Sequence, residues 1–120
     1  MAQLRIDQQS GTPMLVLELT TAEKVAGLHG DITVPLSSVS SVRVVDDAVA
    51  ATRGLRAPGL AIPGSTKIGT WRGKDGKTFV VARRDVPAVQ VELGDQDFTG
   101  LLVSTPDAQE VATRIGAGGA

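Results

Sequence analysis

A mainly β or α+β fold is expected for this 120-residue chain on three observations. Seven or eight short stretches alternate apolar with polar residues, the period of half-buried strands. Clusters rich in Gly, Pro and Asp separate them. A sustained helical period occurs only near the C-terminus.

The first stretch sets Leu4 and Ile6 against Arg5 and Asp7 and ends at Ser10-Gly11-Thr12-Pro13. In the second, Leu15, Leu17 and Leu19 share one face, opposite Val16 and Glu18. Thr20 and Glu23 then have capping-box spacing, each side chain suited to bond a backbone amide of the first turn. This predicts a short helix over 21–28, ending near Gly27 or Gly30. Ile32 and Val34 make a third strand that stops at Pro35, where a ladder donor is missing. After a turn at Leu36-Ser37-Ser38, a strand over 39–45 turns Val42 and Val44 to the core and Ser41 and Arg43 to water. Asp46 begins a long connection without regular structure, reaching about Ser65; such lengths mark binding or mobile loops.

Residues 66–72 and 77–84 read as a hairpin about Gly73-Lys74-Asp75-Gly76, whose Asp-Gly pair signals a tight turn. Val89, Val91 and Leu93 alternate with Ala88, Gln90 and Glu92, and Gly94-Asp95-Gln96-Asp97 leads into a strand from Phe98 to Val103, a second hairpin. The period then changes. Thr105 is suited to N-cap a helix with Pro106 at its first position. Ala108, Val111, Ala112 and Ile115 form its apolar stripe, Glu110 and Arg114 pair on the wet face, and Gly116 is the expected stop. Residues 1–116 thus read as one domain and 117–120 as a flexible tail. The last helix is suited to cover the open end of a sheet curled into a sandwich or barrel.

Four segments resemble a bacterial pleckstrin-homology-like (PH-like) domain: Val34-Pro35-Leu36-Ser37-Ser38-Val39, GLRAPGLAIPGSTKIGTW, GKTFVVARR and STPDAQEVATRI. The resemblance implies a PH-like barrel of two antiparallel sheets closed by a C-terminal helix, and a ligand-binding or protein-binding module with no enzymatic activity. The chain departs from the phosphoinositide-binding members in the loop between the first two strands, where residues 8–13 include no Lys or Arg. The closing helix also lacks the Trp that many members carry, and no functional residue is transferred from the family.

Without cysteine there is no disulfide framework and no thiolate chemistry, which agrees with a reducing, cytoplasmic location. The start, MAQLRIDQQSG, lacks the basic and apolar regions of a secretory signal. No apolar run approaches the roughly 20 residues of a membrane-spanning helix. Net charge is −1, but residues 53–84 hold eight cations against Asp75 alone, a net of +7, which leaves −8 for the remainder. A chain so polarised attracts an anionic partner at one place and repels it elsewhere.

The inventory for catalysis is poor: no Cys, no Tyr, one His and no serine with a His near it in sequence. The chain therefore reads as a non-enzyme with no cofactor and no metal site. His29 lacks the partners that a general base or metal ligand requires and reads as a surface or capping residue. Asp46-Asp47 and Asp95/Asp97 have oxygens that a hard cation accepts, but they read as turn residues bonding their own backbone. The run from Gly59 to Lys67 has the outline of a phosphate loop. Ser65 stands where its Lys belongs, Pro63 removes an amide, and a strand follows where a helix should begin.

The candidate binding residues are therefore the cations and the lone Trp of the basic stretch: Arg53, Arg56, Lys67, Trp71, Arg72, Lys74, Lys77, Arg83 and Arg84. The expected role is binding of a protein partner, or self-association, through this region. An anionic ligand or a membrane surface is the alternative, and a small enzyme is a distant third. Nucleic acid is disfavoured by a pI near 5.7 and by the lack of interleaved stacking aromatics.

Overall fold

The computed structural model describes residues 2–8, 11–27, 29–47, 49, 55–62, 66–73, 76–94 and 96–119. Strands β1 (Gln3–Asp7), β2 (Met14–Glu18) and β3 (Ile32–Pro35) form a three-stranded antiparallel sheet in that order. Helix α1 (Thr21–Gly27) connects β2 to β3, and a 3₁₀ turn (Leu36–Ser38) leads into β4 (Val39–Val45). The remaining strands are β5 (Leu55–Ile62), β6 (Thr66–Gly73), β7 (Gly76–Arg83), β8 (Ala88–Leu93) and β9 (Gly100–Ser104). They join β4 in a six-stranded sheet of order β4-β8-β9-β7-β6-β5. Helix α2 (Ala108–Gly119) follows. The mainly β, α+β class expected from the alternation is the class found.

One core lies between the sheets. Leu4, Leu15, Leu17, Ile32 and Val34 supply it from the first sheet, and Ile68, Phe79, Val81, Val89, Val91, Leu101 and Val103 from the second. Ala108, Val111, Ala112 and Ile115 bring in the apolar stripe of α2, which packs along β4. Alternation explains the partition: Val42 and Val44 turn to this core while Ser41 and Arg43 face water. A smaller cluster of Trp71, Val80, Ala82, Ala88 and Leu102 occupies the opposite face of the second sheet, with Val45 and Val49 against it.

Four features differ from the sequence expectation. β5 runs inside the connection read as lacking regular structure. Its Pro58-Gly59 pair hides the strand in the sequence, and the fold tolerates it because β5 is an edge and its register with β6 shifts between Arg56 and Gly59. Secondly, the larger sheet is mixed: β9 pairs antiparallel with β8 and parallel with β7. All five residues of β9 are buried, the composition of a central strand covered on both faces, and this favours insertion between its neighbours. Thirdly, the two sheets remain separate among the described residues and do not close into one barrel.

Finally, α2 continues through Gly116 to Gly119. A Cβ at Gly116 would lie 3.5 Å from Val42 Cγ1, so the glycine sits where α2 meets β4 instead of ending the helix. Its first turn starts slightly later than expected, because Val111 N–H donates to Asp107 O at 3.0 Å, which places the N-cap at Asp107 instead of Thr105.

Helix α1 begins as the Thr20/Glu23 spacing predicts. Thr20 N–H donates to Glu23 Oε1 at 2.9 Å and Glu23 N–H to Thr20 Oγ1 at 3.2 Å. His29 N–H reaches back to Lys24 O at 3.1 Å, the six-to-one bond of a Schellman-type end. Gly27 allows α1 to lie on the large sheet: a Cβ there would be 3.1 Å from Phe79 Cζ and 3.2 Å from Ile68 Cγ2.

Candidate functional site

The β6–β7 hairpin carries most of the candidate residues, and its register decides which face each one takes. Trp71 opposes Thr78, Arg72 opposes Lys77, Lys67 opposes Ala82 and Thr66 opposes Arg83. Gly73 opposes Gly76, which agrees with the tight turn expected at this place; the turn residues Lys74 and Asp75 lie outside the described residues. Alternation puts Lys67 and Trp71 on the outer face, and Arg72, Lys77 and Arg83 on the face shared with Phe79 and Val81. The hairpin therefore separates these five candidates between two faces.

Lys67, Lys77, Arg83 and Arg84 each have a partner of their own. Lys67 Nζ donates to Val49 O at 3.0 Å, and Val49 packs against the outer cluster. Lys77 Nζ lies 3.1 Å from Asp97 Oδ2 and 4.8 Å from the centre of the Phe98 ring, a cation over an aromatic face. Arg84 Nε is 3.5 Å from Asp85 Oδ2, an exposed pair at a turn where Asp85 adopts φ 62°. Arg72 is exposed at the hairpin end and has no partner among the described residues. Arg53 lies outside the described residues; Arg56 sits on β5 opposite Trp71.

Trp71 is 5% exposed and forms the centre of the outer cluster, so its indole packs against Val80, Ala82 and Leu102. Its fluorescence is expected to be blue-shifted in the native protein and weakly quenched by iodide. Emission at the free-indole wavelength with full quenching would contradict this placement.

Arg83 belongs to the most elaborate polar site among the described residues. Its Nη2 donates to Glu23 Oε2 at 3.2 Å, and Ala2 N–H donates to the same oxygen at 3.1 Å. Glu23 is 1% exposed and also closes the capping box of α1. Burial by itself raises the pKa of this carboxyl. The hydrogen bonds from the Thr20 amide, the Arg83 guanidinium, the Thr20 hydroxyl and the Ala2 amide outweigh burial and hold it below its ordinary value of 4.5. This site fastens the start of the chain, α1 and the end of β7 to one another.

His29 sits against the aromatic core. Its ring packs 5.4 Å from Phe79 and 5.3 Å from Phe98, centre to centre, and Nδ1 lies 2.8 Å from Gly30 O. Among the described residues no group of three or more His, Cys, Asp or Glu side chains is placed to hold a metal ion. Asp97 is engaged by Lys77, and Asp95 lies outside the described residues. The phosphate-loop outline falls on the β5–β6 hairpin, with Gly59 to Ile62 in one strand and Thr66 onward in the next.

Two clefts leave no trace in the local sequence. One, of about 270 Å³, lies between the start of β1 and the first turns of α2, with Asp107, Glu110 and Arg114 on the helix side. The other, of about 430 Å³, is lined by Ser40, Thr78, Gln90, Glu92 and Thr99 on the large sheet. Both are assembled from residues distant in the chain, so no local spacing announces them. No helix among the described residues is long and apolar enough to cross a membrane. No family model, curated protein or solved structure matches this chain.

Proposed function

We propose that the chain is a non-enzymatic, PH-like interaction module that binds a protein partner through the basic 53–84 stretch, at the exposed end of the β6–β7 hairpin. The observation that supports a protein over a polyanion is the dispersal of the cations. Lys67, Lys77, Arg83 and Arg84 are each engaged separately, and Arg72 stands beside the Lys77–Asp97 pair. A surface of alternating sign matches a protein, which presents both signs in return, whereas a polyanion is held by gathered, unpaired cations. The closing helix α2 supports the PH-like reading, and the mixed sheet is a departure from that pattern. The absence of cysteine supports action in the cytoplasm.

The test compares wild type with Arg72→Glu in two assays: capture of proteins from cell extract, and sedimentation with phosphatidylcholine or phosphatidylserine vesicles. The expected result is a protein held by wild type and lost by the variant, with no sedimentation that depends on phosphatidylserine. Vesicle binding that requires phosphatidylserine and falls steeply with salt would favour the anionic-surface alternative instead.

A further inference from the structure

The edges of the two sheets are not equally protected. β5 contains Pro58 and a register shift, β3 has four residues and ends in Pro35, and β4 has a shift between Val39 and Ser41 and lies along α2. Each is a device that discourages pairing with another chain. β1 has none of them. Its five residues pair regularly with β2, without Pro, Gly or bulge, and no described strand lies on its other side. Helix α2 faces the start of β1 across the cleft between Ala2–Leu4 and Pro106–Arg114.

The neighbours of β1 among the described residues fix which of its polar groups point away from β2. Leu19 N–H turns toward the β3 side, where it donates to Asp31 Oδ1 at 2.8 Å. By alternation Leu15 and Leu17 bond to β3, while Met14, Val16 and Glu18 bond to β1 through Asp7, Arg5 and Gln3. Leu4 and Ile6 therefore present N–H and C=O groups to the open side. Ala2 N–H, of the same parity, indeed goes to Glu23 and not to β2.

We propose that β1 pairs antiparallel with β1 of a second copy of this chain about a two-fold axis at Ile6. The two three-stranded sheets then form one continuous sheet. Charge selects the register. An axis at Arg5 would set like charges opposite each other, and an axis at Leu4 would set Ala2, whose N–H is already taken by Glu23, opposite Ile6. An axis at Ile6 sets Arg5 opposite Asp7 of the second copy, twice by symmetry, at the closely spaced positions between hydrogen-bonded pairs. The two Ile6 residues exchange both of their backbone bonds, and their half-buried side chains continue the core layer across the junction. Such an interface is isologous and closed, so it stops at a dimer. It goes beyond the function proposed above and does not use the basic stretch.

Sedimentation of the purified chain over a concentration series tests this proposal, with the unfolding midpoint of every variant measured to confirm that it is folded. Wild type is expected to form a reversible dimer. Arg5→Asp, which sets two carboxylates opposite each other twice, should weaken the dimer about tenfold or more, and Asp7→Arg should do likewise. The combined Arg5→Asp/Asp7→Arg chain restores opposite charges and should regain the dimer, while Arg72→Glu should leave it unchanged. A wild type that stays monomeric throughout would overturn the proposal. So would a dimer indifferent to Arg5→Asp, a charge-exchanged chain that stays monomeric, or a dimer lost in Arg72→Glu.

Discussion

Glu23→Ala is expected to lower the unfolding free energy by about 3 kcal/mol, because it deprives several donors of one buried acceptor. Ala2 N–H, Thr20 N–H and Arg83 Nη2 all lose their bond at once, and the first turn of α1 loses half of its capping box. For a domain of this size, that corresponds to a fall in Tm of roughly 10 °C. Glu23→Gln separates charge from shape, since the amide keeps an acceptor oxygen but cannot satisfy the same set of donors.

The acid limb of the stability profile gives a second readout. The folded carboxyl titrates below its ordinary 4.5, so its contribution is complete above that value and is lost as pH falls through the lowered folded pKa. In Glu23→Gln this part of the acid limb should be missing, with stability flatter below pH 4.5 than in wild type. An unchanged acid limb would mean that the carboxylate is not held as described.

Phe79→Ala is expected to cost about 4 kcal/mol, the range for removing a fully buried aromatic side chain. The ring is 0% exposed and lies in a three-ring cluster, 5.4 Å from His29 and 5.8 Å from Phe98. It also forms the floor on which Gly27 and therefore α1 rest. The cavity would open where α1, β7 and the segment before β9 meet, so protection of α1 amides from hydrogen exchange should fall together with global stability. The denaturant midpoint of the variant measures the first effect, and a shift under about 1 kcal/mol would contradict the packing described.

What the sequence revealed was local. The capping box of Thr20 and Glu23 is visible because its two members are three residues apart, and both bonds form as read. The burial of Glu23 and its partnership with Arg83 are not visible, because that contact joins residues 60 apart in the chain. The same limit applies to the basic stretch. Counting charge along the chain finds a surplus, whereas Val49, Asp97 and Glu23, which occupy Lys67, Lys77 and Arg83, arrive through the fold. β5 was concealed by Pro58-Gly59, the residues that an edge strand and its register shift accommodate. The hairpin of β8 and β9 was legible, but its insertion beside β7 was not, since alternation reveals a face and not a neighbour.

The cations of the basic stretch are divided between scaffold and surface, with Arg83 on the first side and Arg72 on the second. Equilibrium unfolding of Arg83→Ala and Arg72→Ala at neutral pH measures this division. A loss of about 2 kcal/mol is expected for Arg83→Ala, below the full cost of breaking a buried pair because Arg83 is partly exposed, and a change within about 0.5 kcal/mol for Arg72→Ala. Equal effects, or the larger loss at Arg72, would contradict it.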